Sequence, residues 1–152
     1  MTQGFQCRIA NVMTYDGRHF TFVHPITYVA NDGRVFVIPQ GATTDGASTP
    51  RDMWPFLPPF GEYWLATVLH DCSYQNTLQI VNEQGTAQAP ANLPQDECDN
   101  LLKEAMESLG VAQLTVDTIY EGVHKFGWLA YRQDRLESSP EVIPDVPNAP
   151  II

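Results

Sequence analysis

Glu62-Tyr-Trp-Leu-Ala-Thr-Val-Leu-His-Asp-Cys-Ser-Tyr-Gln-Asn76 is the stretch on which the fold of this chain depends. Apolar residues recur in it at the i, i+3, i+4, i+7 spacing of an amphipathic helix whose stripe faces a core: Leu65, Val68, Leu69 and Cys72. An adjacent face of the same helix carries Tyr63, Ala66, His70 and Tyr74. Because this face places an imidazole between two phenols, we predict that it forms a polar site.

Composition and charge limit the possible classes of protein. With 152 residues, 43% of them hydrophobic and 17% charged, the chain predicts one globular domain with a core of ordinary size. Its formal net charge of −10 opposes binding to nucleic acid or to an anionic membrane surface. The N-terminus lacks the pattern of a signal peptide, and no apolar run approaches the roughly 18 residues of a transmembrane segment.

The three cysteines predict no covalent framework. Cys7, Cys72 and Cys98 are odd in number and show no Cys-x-x-Cys spacing, so neither a set of disulfides nor a cysteine zinc site is indicated. A reducing compartment is the expectation.

The first forty residues predict an antiparallel sheet. Two segments rich in aromatic and β-branched residues, Phe5–Met13 and His19–Ala30, are read as strands. A third strand, Arg34–Ile38, follows the turn sequence Asn31-Asp-Gly33, so it should pair with the second strand as a hairpin.

The segment Gly41–Pro59 predicts a long loop of functional importance. Its aromatic residues, together with Phe60, carry too much apolar area to remain in water, so we expect the loop to pack on the domain and hold Asp45 in a defined place. In the alternative interpretation, Asp45 caps backbone amides of a tight turn.

Two further helices complete the predicted fold. One begins at Pro94, ends at Gly110 and places Asp99 beside its apolar stripe, where a carboxylate needs a partner. The other covers about Thr115–Arg132, and its Gly122 and Gly127 would permit another helix to approach closely. His124 is interpreted as a surface or packing histidine. The fold class is therefore α+β: a small N-terminal antiparallel sheet, a long aromatic-rich loop and about three packed helices.

The C-terminal segment predicts a partner rather than a fold of its own. Residues 1–136 are expected to form the single domain, and residues 137–152, which contain four prolines, a Pro-rich extended tail. Five apolar side chains in this tail suit an extended segment lying in the groove of a neighbouring subunit.

Several separated motifs follow one another along the chain: Thr44-Asp-Gly-Ala-Ser-Thr-Pro50, Leu69-His-Asp-Cys-Ser-Tyr74, Asp99 ahead of Glu104-Ala-Met106, and Phe126-Gly127. In this order they resemble a family found largely in bacteriophages and prophages and catalogued as a domain of unknown function. The resemblance implies a viral origin and a site shared by these motifs. For such a protein we expect a location in the virion or the host cytoplasm and, through the C-terminal tail, other phage structural proteins as partners.

The helix sequence His-Asp-x-x-Tyr, with a distant aspartate on another helix, is also similar to secreted phospholipases A2. This similarity implies His70 as the base that activates water, Asp71 as a metal ligand, Asp99 as the carboxylate that orients the histidine, and Tyr74 as a supporting donor. The chain differs in having no cysteine-containing, glycine-rich calcium loop and no disulfide framework. With Asp45 added from the loop, the carboxylates could bind a divalent metal, calcium or zinc.

The residues leave several functions open. In the leading hypothesis the chain is a virion- or tail-associated phage protein with a hydrolase-like site, His70, Asp71 and Asp99, that acts on a cell-envelope substrate. In the second, it is a noncatalytic assembly or adaptor protein, and the same side chains only satisfy one another between packed helices. In the third, suggested by the acidity of a small viral protein, it inhibits a host defence.

Overall fold

The computed structural model describes residues 1–8, 11–17, 19–44, 61–88 and 90–137. Three parts of the chain named in the predictions lie outside the described residues: Asp45, most of the aromatic-rich loop, and the tail beyond residue 137. The hypotheses about them stay predictions.

Eight short strands are present among the described residues: β1 (Gly4–Phe5), β2 (Val12–Met13), β3 (Phe20–Phe22), β4 (Ile26–Val29), β5 (Val35–Ile38), β6 (Thr43–Thr44), β7 (Gln79–Val81) and β8 (Ala87–Gln88). They form two antiparallel sheets, one in the order β1-β4-β5-β7-β8 and one in the order β2-β3-β6. The predicted hairpin is confirmed, since β4 pairs with β5 from Ile26 opposite Ile38 to Val29 opposite Val35.

The first two predicted strands are each divided between the two sheets. The segment predicted as one strand over His19–Ala30 gives β3 to the smaller sheet and β4 to the larger. The break falls at Pro25, which has no N–H to donate to a ladder, and at the exposed His24 before it. The prediction of one continuous sheet over the first forty residues was wrong in this respect.

Three helices pack together: α1 (Trp64–Tyr74), α2 (Gln95–Ser108) and α3 (Gln113–Glu137). The second starts directly after Pro94, and Gly110, with φ of +78°, follows its C-cap residue, as predicted. The third continues five residues beyond the predicted Arg132, because the Arg135 guanidinium binds backbone carbonyls at the end of α1. The α+β fold class is confirmed.

The α1 helix lies at the centre of the molecule. Its predicted stripe is buried, and so is the second face, so that most of the helix is enclosed by α2, α3 and the larger sheet: Leu65, Ala66, Val68, Leu69, His70, Cys72 and Tyr74 are all buried. The three cysteines are free, as expected. In the described parts of the chain, no helix is long and apolar enough to cross a membrane.

Candidate functional site

The Asp99 carboxylate on α2 joins side chains from all three helices. It is fully buried. Its Oδ1 lies 2.9 Å from His70 Nε2 and 2.6 Å from the Tyr74 hydroxyl, and its Oδ2 lies 3.4 Å from His124 Nδ1. The expected contact between His70 and Asp99 is therefore confirmed, and the carboxylate predicted beside the apolar stripe of α2 is fully buried.

Local helix geometry explains why His70 and Tyr74 reach the same oxygen. Residues four apart lie one above the other on a helix. The centres of the His70 and Tyr74 rings are 4.1 Å apart, with an angle of 46° between the ring planes. Both side chains point from α1 toward α2, where Asp99 Oδ1 accepts a hydrogen bond from each.

The close approach of α3 fixes the position of Tyr74. A Cβ atom built on Gly127 would lie 2.5 Å from the Tyr74 hydroxyl oxygen, so only glycine fits at this position without a shift. The Tyr131 ring meets Tyr74 edge-on at 5.3 Å. The predicted close approach at Gly127 is confirmed. The same prediction is wrong for Gly122, since a Cβ atom built on Gly122 would have no atom of the described residues within 4 Å.

The hydrogen bonds of Asp99 decide its charge. Burial alone raises the pKa of this carboxyl group, but the bonds from His70 and Tyr74 outweigh burial and hold the pKa below its usual value. Burial is the main cause that raises the pKa of Tyr74, and the neighbouring Asp99 raises it further. The phenol therefore stays protonated and donates a hydrogen bond to Asp99. Because an ionised carboxylate only accepts hydrogen bonds, His70 carries a proton on Nε2.

His124 is the member of this cluster whose contact with Asp99 the sequence pattern did not predict. Its side chain is 52% exposed, and its ring stacks on Tyr120 with centres 5.4 Å apart and an interplanar angle of 12°. The Tyr120 hydroxyl in turn donates to Asn100 Oδ1 at 3.2 Å. One signal was available: His124 lies one turn before Gly127, on the helix face where the close approach occurs.

Asp71 lies in a different place from the Asp99 cluster. Together with residues of β6, α1 and α3 it lines a cleft of about 370 Å³: His19, Thr43, Thr44, Asp71, Gln75, Ala130 and Asp134. Within the described ranges, no group of three or more His, Cys, Asp or Glu side chains is arranged to hold a metal ion. Since the predicted metal site includes Asp45, which directly follows Thr44 in sequence, a calcium or zinc ion bound by Asp45 and Asp71 stays a prediction.

The family comparison covers the same elements. Residues 20–123 match a family described as "Protein of unknown function (DUF1353)". The chain belongs to this family. The DUF1353 match runs from β3 into α3 and includes His70, Tyr74 and Asp99 but ends one residue before His124. No curated protein and no solved structure matches the chain.

Proposed function

We propose that this DUF1353 protein is encoded by a bacteriophage, is associated with the virion or its tail, and hydrolyses a bond in a cell-envelope substrate with His70 as the general base. The order of the Thr-Asp-Gly, His-Asp-x-x-Tyr and later motifs supports the phage origin. The arrangement of His70, Tyr74 and Asp99 supports the chemistry.

One observation carries the hydrolase proposal: His70 donates through Nε2 to a buried, ionised Asp99. The other ring nitrogen, Nδ1, then has a lone pair, and it makes no hydrogen bond to any of the described residues. A neutral imidazole held in this way can take a proton from water, and the carboxylate stabilises the imidazolium that forms. Tyr74 donates to the same carboxylate oxygen and so fixes its orientation.

The remaining parts of the proposal concern the metal and the partners. Asp71 and Asp45 would hold a divalent ion, which when bound would supply a Lewis acid in the cleft that Asp71 lines. The Pro-rich tail would attach the protein to other phage structural proteins.

The test is hydrolysis by the purified protein. Wild-type protein, His70→Gln and Asp99→Asn are incubated with vesicles of bacterial phospholipids and with purified peptidoglycan, and released fatty acid or soluble fragments are measured. Glutamine keeps a donor near the position of Nε2 but cannot take a proton, so we expect a loss of about 100-fold or more. The matched control is His24→Gln, at an exposed histidine with no side-chain hydrogen bond to the described residues.

Two results would contradict the hydrolase proposal. One is the absence of hydrolysis of either substrate by the wild-type protein. The other is equal hydrolysis by the wild-type protein and by a folded His70→Gln variant.

The second candidate is a noncatalytic assembly protein, and the deep burial of the cluster favours it. The His70 side chain is only 8% exposed, and Asp99 accepts bonds from both α1 and α3, so the cluster would serve to join three helices. On this reading His70→Ala lowers the free energy of unfolding by about 1–3 kcal/mol, because Asp99 loses a buried donor. Stability loss without any hydrolytic activity in the wild-type protein would favour this candidate.

A further inference from the structure

The outer face of α3 carries most of the large exposed hydrophobic side chains of the described residues. The inner face of this helix, which includes Val116 and Val123, joins the core beside α1 and α2. Eight large hydrophobic side chains are exposed in the described parts of the chain, and five of them lie on α3: Leu114, Phe126, Trp128, Leu129 and Leu136. Single exposed hydrophobic residues are ordinary, but several on one helix indicate a surface that binds another molecule.

Part of this face forms a line that we call the outer seam: Gly122, Phe126, Leu129 and Leu136. Residues three, four and seven positions apart lie on one side of a helix, as they do where two helices pack together. A Cβ atom built on Gly122 would meet no atom of the described residues within 4 Å. A shallow groove of about 370 Å³ lies there, and its lining residues are Asp117, Thr118, Glu121, Gly122, Lys125 and Phe126. The seam therefore has a depression at Gly122 and, one turn further on, the exposed ring of Phe126.

The exposed charges beside the outer seam change sign along α3. The acidic residues Asp117 and Glu121 come first. The basic residues Lys125 and Arg132 follow, and Arg132 makes no hydrogen bond or ion pair with the described residues. Two copies of this helix that run in opposite directions place acidic residues against basic ones. Two copies that run in the same direction place like charges together.

We propose that a second copy of this chain binds the outer seam, with the two α3 helices antiparallel and related by a two-fold axis. In such an interface every contact occurs twice. Phe126 of each copy enters the groove over Gly122 of the other, and Asp117 of each copy faces Arg132 of the other. Both pairings require the axis to pass close to His124, near the middle of a helix that is about 37 Å long.

Electrostatics favour a second copy over a lipid surface as the partner. The formal net charge of −10 opposes contact with an anionic membrane, which offers no basic residues to Asp117 and Glu121. Two copies also repel each other, but at about 0.15 M salt charges more than about 8 Å apart are largely screened. The opposed charges at the seam are closer than this and attract. Since one pair of helices buries less than a standard interface of about 1,600 Å², we expect a Kd of about 10 μM.

The test is sedimentation of the full chain in buffer of about 0.15 M salt, at protein concentrations from about 1 to 200 μM. Phe126→Gln removes the ring and keeps a good helix former, so the Kd of the dimer should rise tenfold or more. The matched control is Tyr15→Gln, at an exposed aromatic residue outside α3, which should change the Kd less than about twofold. Leu129→Gln replaces the first variant if circular dichroism shows that Phe126→Gln does not fold.

A charge exchange tests the antiparallel pairing. Asp117→Arg and Arg132→Asp each place like charges opposite each other at two symmetric positions, so each should raise the Kd by about fivefold or more. The double variant restores opposite charges with reversed sign and should return the Kd to within about twofold of the wild-type value. In a parallel dimer each of these residues faces its own copy, and the double variant restores nothing.

The outcomes either support the dimer or overturn it. A full chain that stays monomeric at every concentration overturns it. In that case a lower Tm of Phe126→Gln assigns the seam to a segment of the same chain, and an unchanged Tm leaves it for a different protein. A dimer whose Kd is unaffected by Phe126→Gln uses another surface. A dimer that Phe126→Gln weakens but that the double charge variant does not restore overturns the antiparallel arrangement.

Discussion

Two carboxylates on α2, Asp99 and Glu104, show how the surroundings set the direction in which the pKa of a desolvated acid shifts. Each accepts a hydrogen bond from a tyrosine: the Tyr74 hydroxyl donates to Asp99 at 2.6 Å, and the Tyr28 hydroxyl donates to Glu104 at 2.9 Å. Yet the pKa of Asp99 is lowered and the pKa of Glu104 is raised.

The difference lies in the number and type of donors. Burial raises both pKa values. At Asp99 two histidines and a tyrosine use both carboxylate oxygens, which outweighs burial. At Glu104 the Tyr28 hydroxyl and the Asn31 amide share one oxygen, and the nearby Asp32 adds a repulsive negative charge. Donors from Tyr28 and Asn31 therefore do not offset desolvation at Glu104, whereas two imidazoles and a tyrosine lower the pKa of Asp99 despite its burial.

Removing each carboxylate in turn should give the largest contrast. Asp99→Ala leaves His70 Nε2 and the Tyr74 hydroxyl buried without an acceptor, so we expect the free energy of unfolding to fall by about 3 kcal/mol or more. Glu104→Gln keeps the oxygen that accepts from Tyr28 and Asn31 and removes a charge that burial disfavours. Urea unfolding at pH 7 should show a change within about 1 kcal/mol for this variant.

This comparison also has a result that would break it. Equal losses of stability in Asp99→Ala and Glu104→Gln would mean that the two carboxylates are equivalent. The different sets of donors would then have no energetic consequence.

A smaller effect is expected from Gly127→Ala, which disturbs the tyrosine donor that Asp99 has in common with Glu104. The new methyl group meets the Tyr74 hydroxyl and must displace it from Asp99, so we expect a loss of about 1–3 kcal/mol in thermal or urea unfolding. The matched control on the same helix is Gly122→Ala. An alanine there has open space, so stability should rise by up to about 1 kcal/mol.

If both alanine variants gain stability, the Tyr74 hydroxyl is not confined at Gly127. A further comparison would make the result sharper. The loss caused by Gly127→Ala should shrink in a Tyr74→Phe background, because the atom that the methyl group meets is then absent.

The smallest effect is the pH dependence, and the two carboxylates should show opposite signs. The folded pKa of Asp99 is below its usual 3.8, so its stabilising contribution is present above about pH 4 and is lost as the pH falls through the folded pKa. The folded pKa of Glu104 is above its usual 4.5, so its contribution is present below that value and is lost as the pH rises through the folded pKa.

Urea unfolding from pH 3 to pH 8 measures both trends. The stability advantage of the wild-type protein over Asp99→Asn should shrink below about pH 4. Glu104→Gln should gain stability relative to the wild-type protein between pH 4 and pH 7. Parallel curves for all three proteins would show that neither carboxylate has a shifted pKa.

The sequence by itself determined the local structure. The helix from Trp64 to Tyr74 follows from apolar spacing, the start of α2 from Pro94, and the hairpin from Asn31-Asp-Gly33, because each depends on residues within a few positions of one another. The similarity of the His-Asp-x-x-Tyr helix to secreted phospholipases A2 also suggested His70 and Asp99 as candidate partners.

Only the tertiary structure decided which side chains meet. Asp99 lies 29 residues from His70 and 25 from His124 along the chain, and the periodicity of one helix does not fix its rotation against another. The same reason explains the wrong sheet assignment: β3 and β4 are neighbours in sequence but pair with different partners, Thr44 and Ile38 among them. Local spacing sets which residues share a face, and packing between separate elements sets what that face contacts.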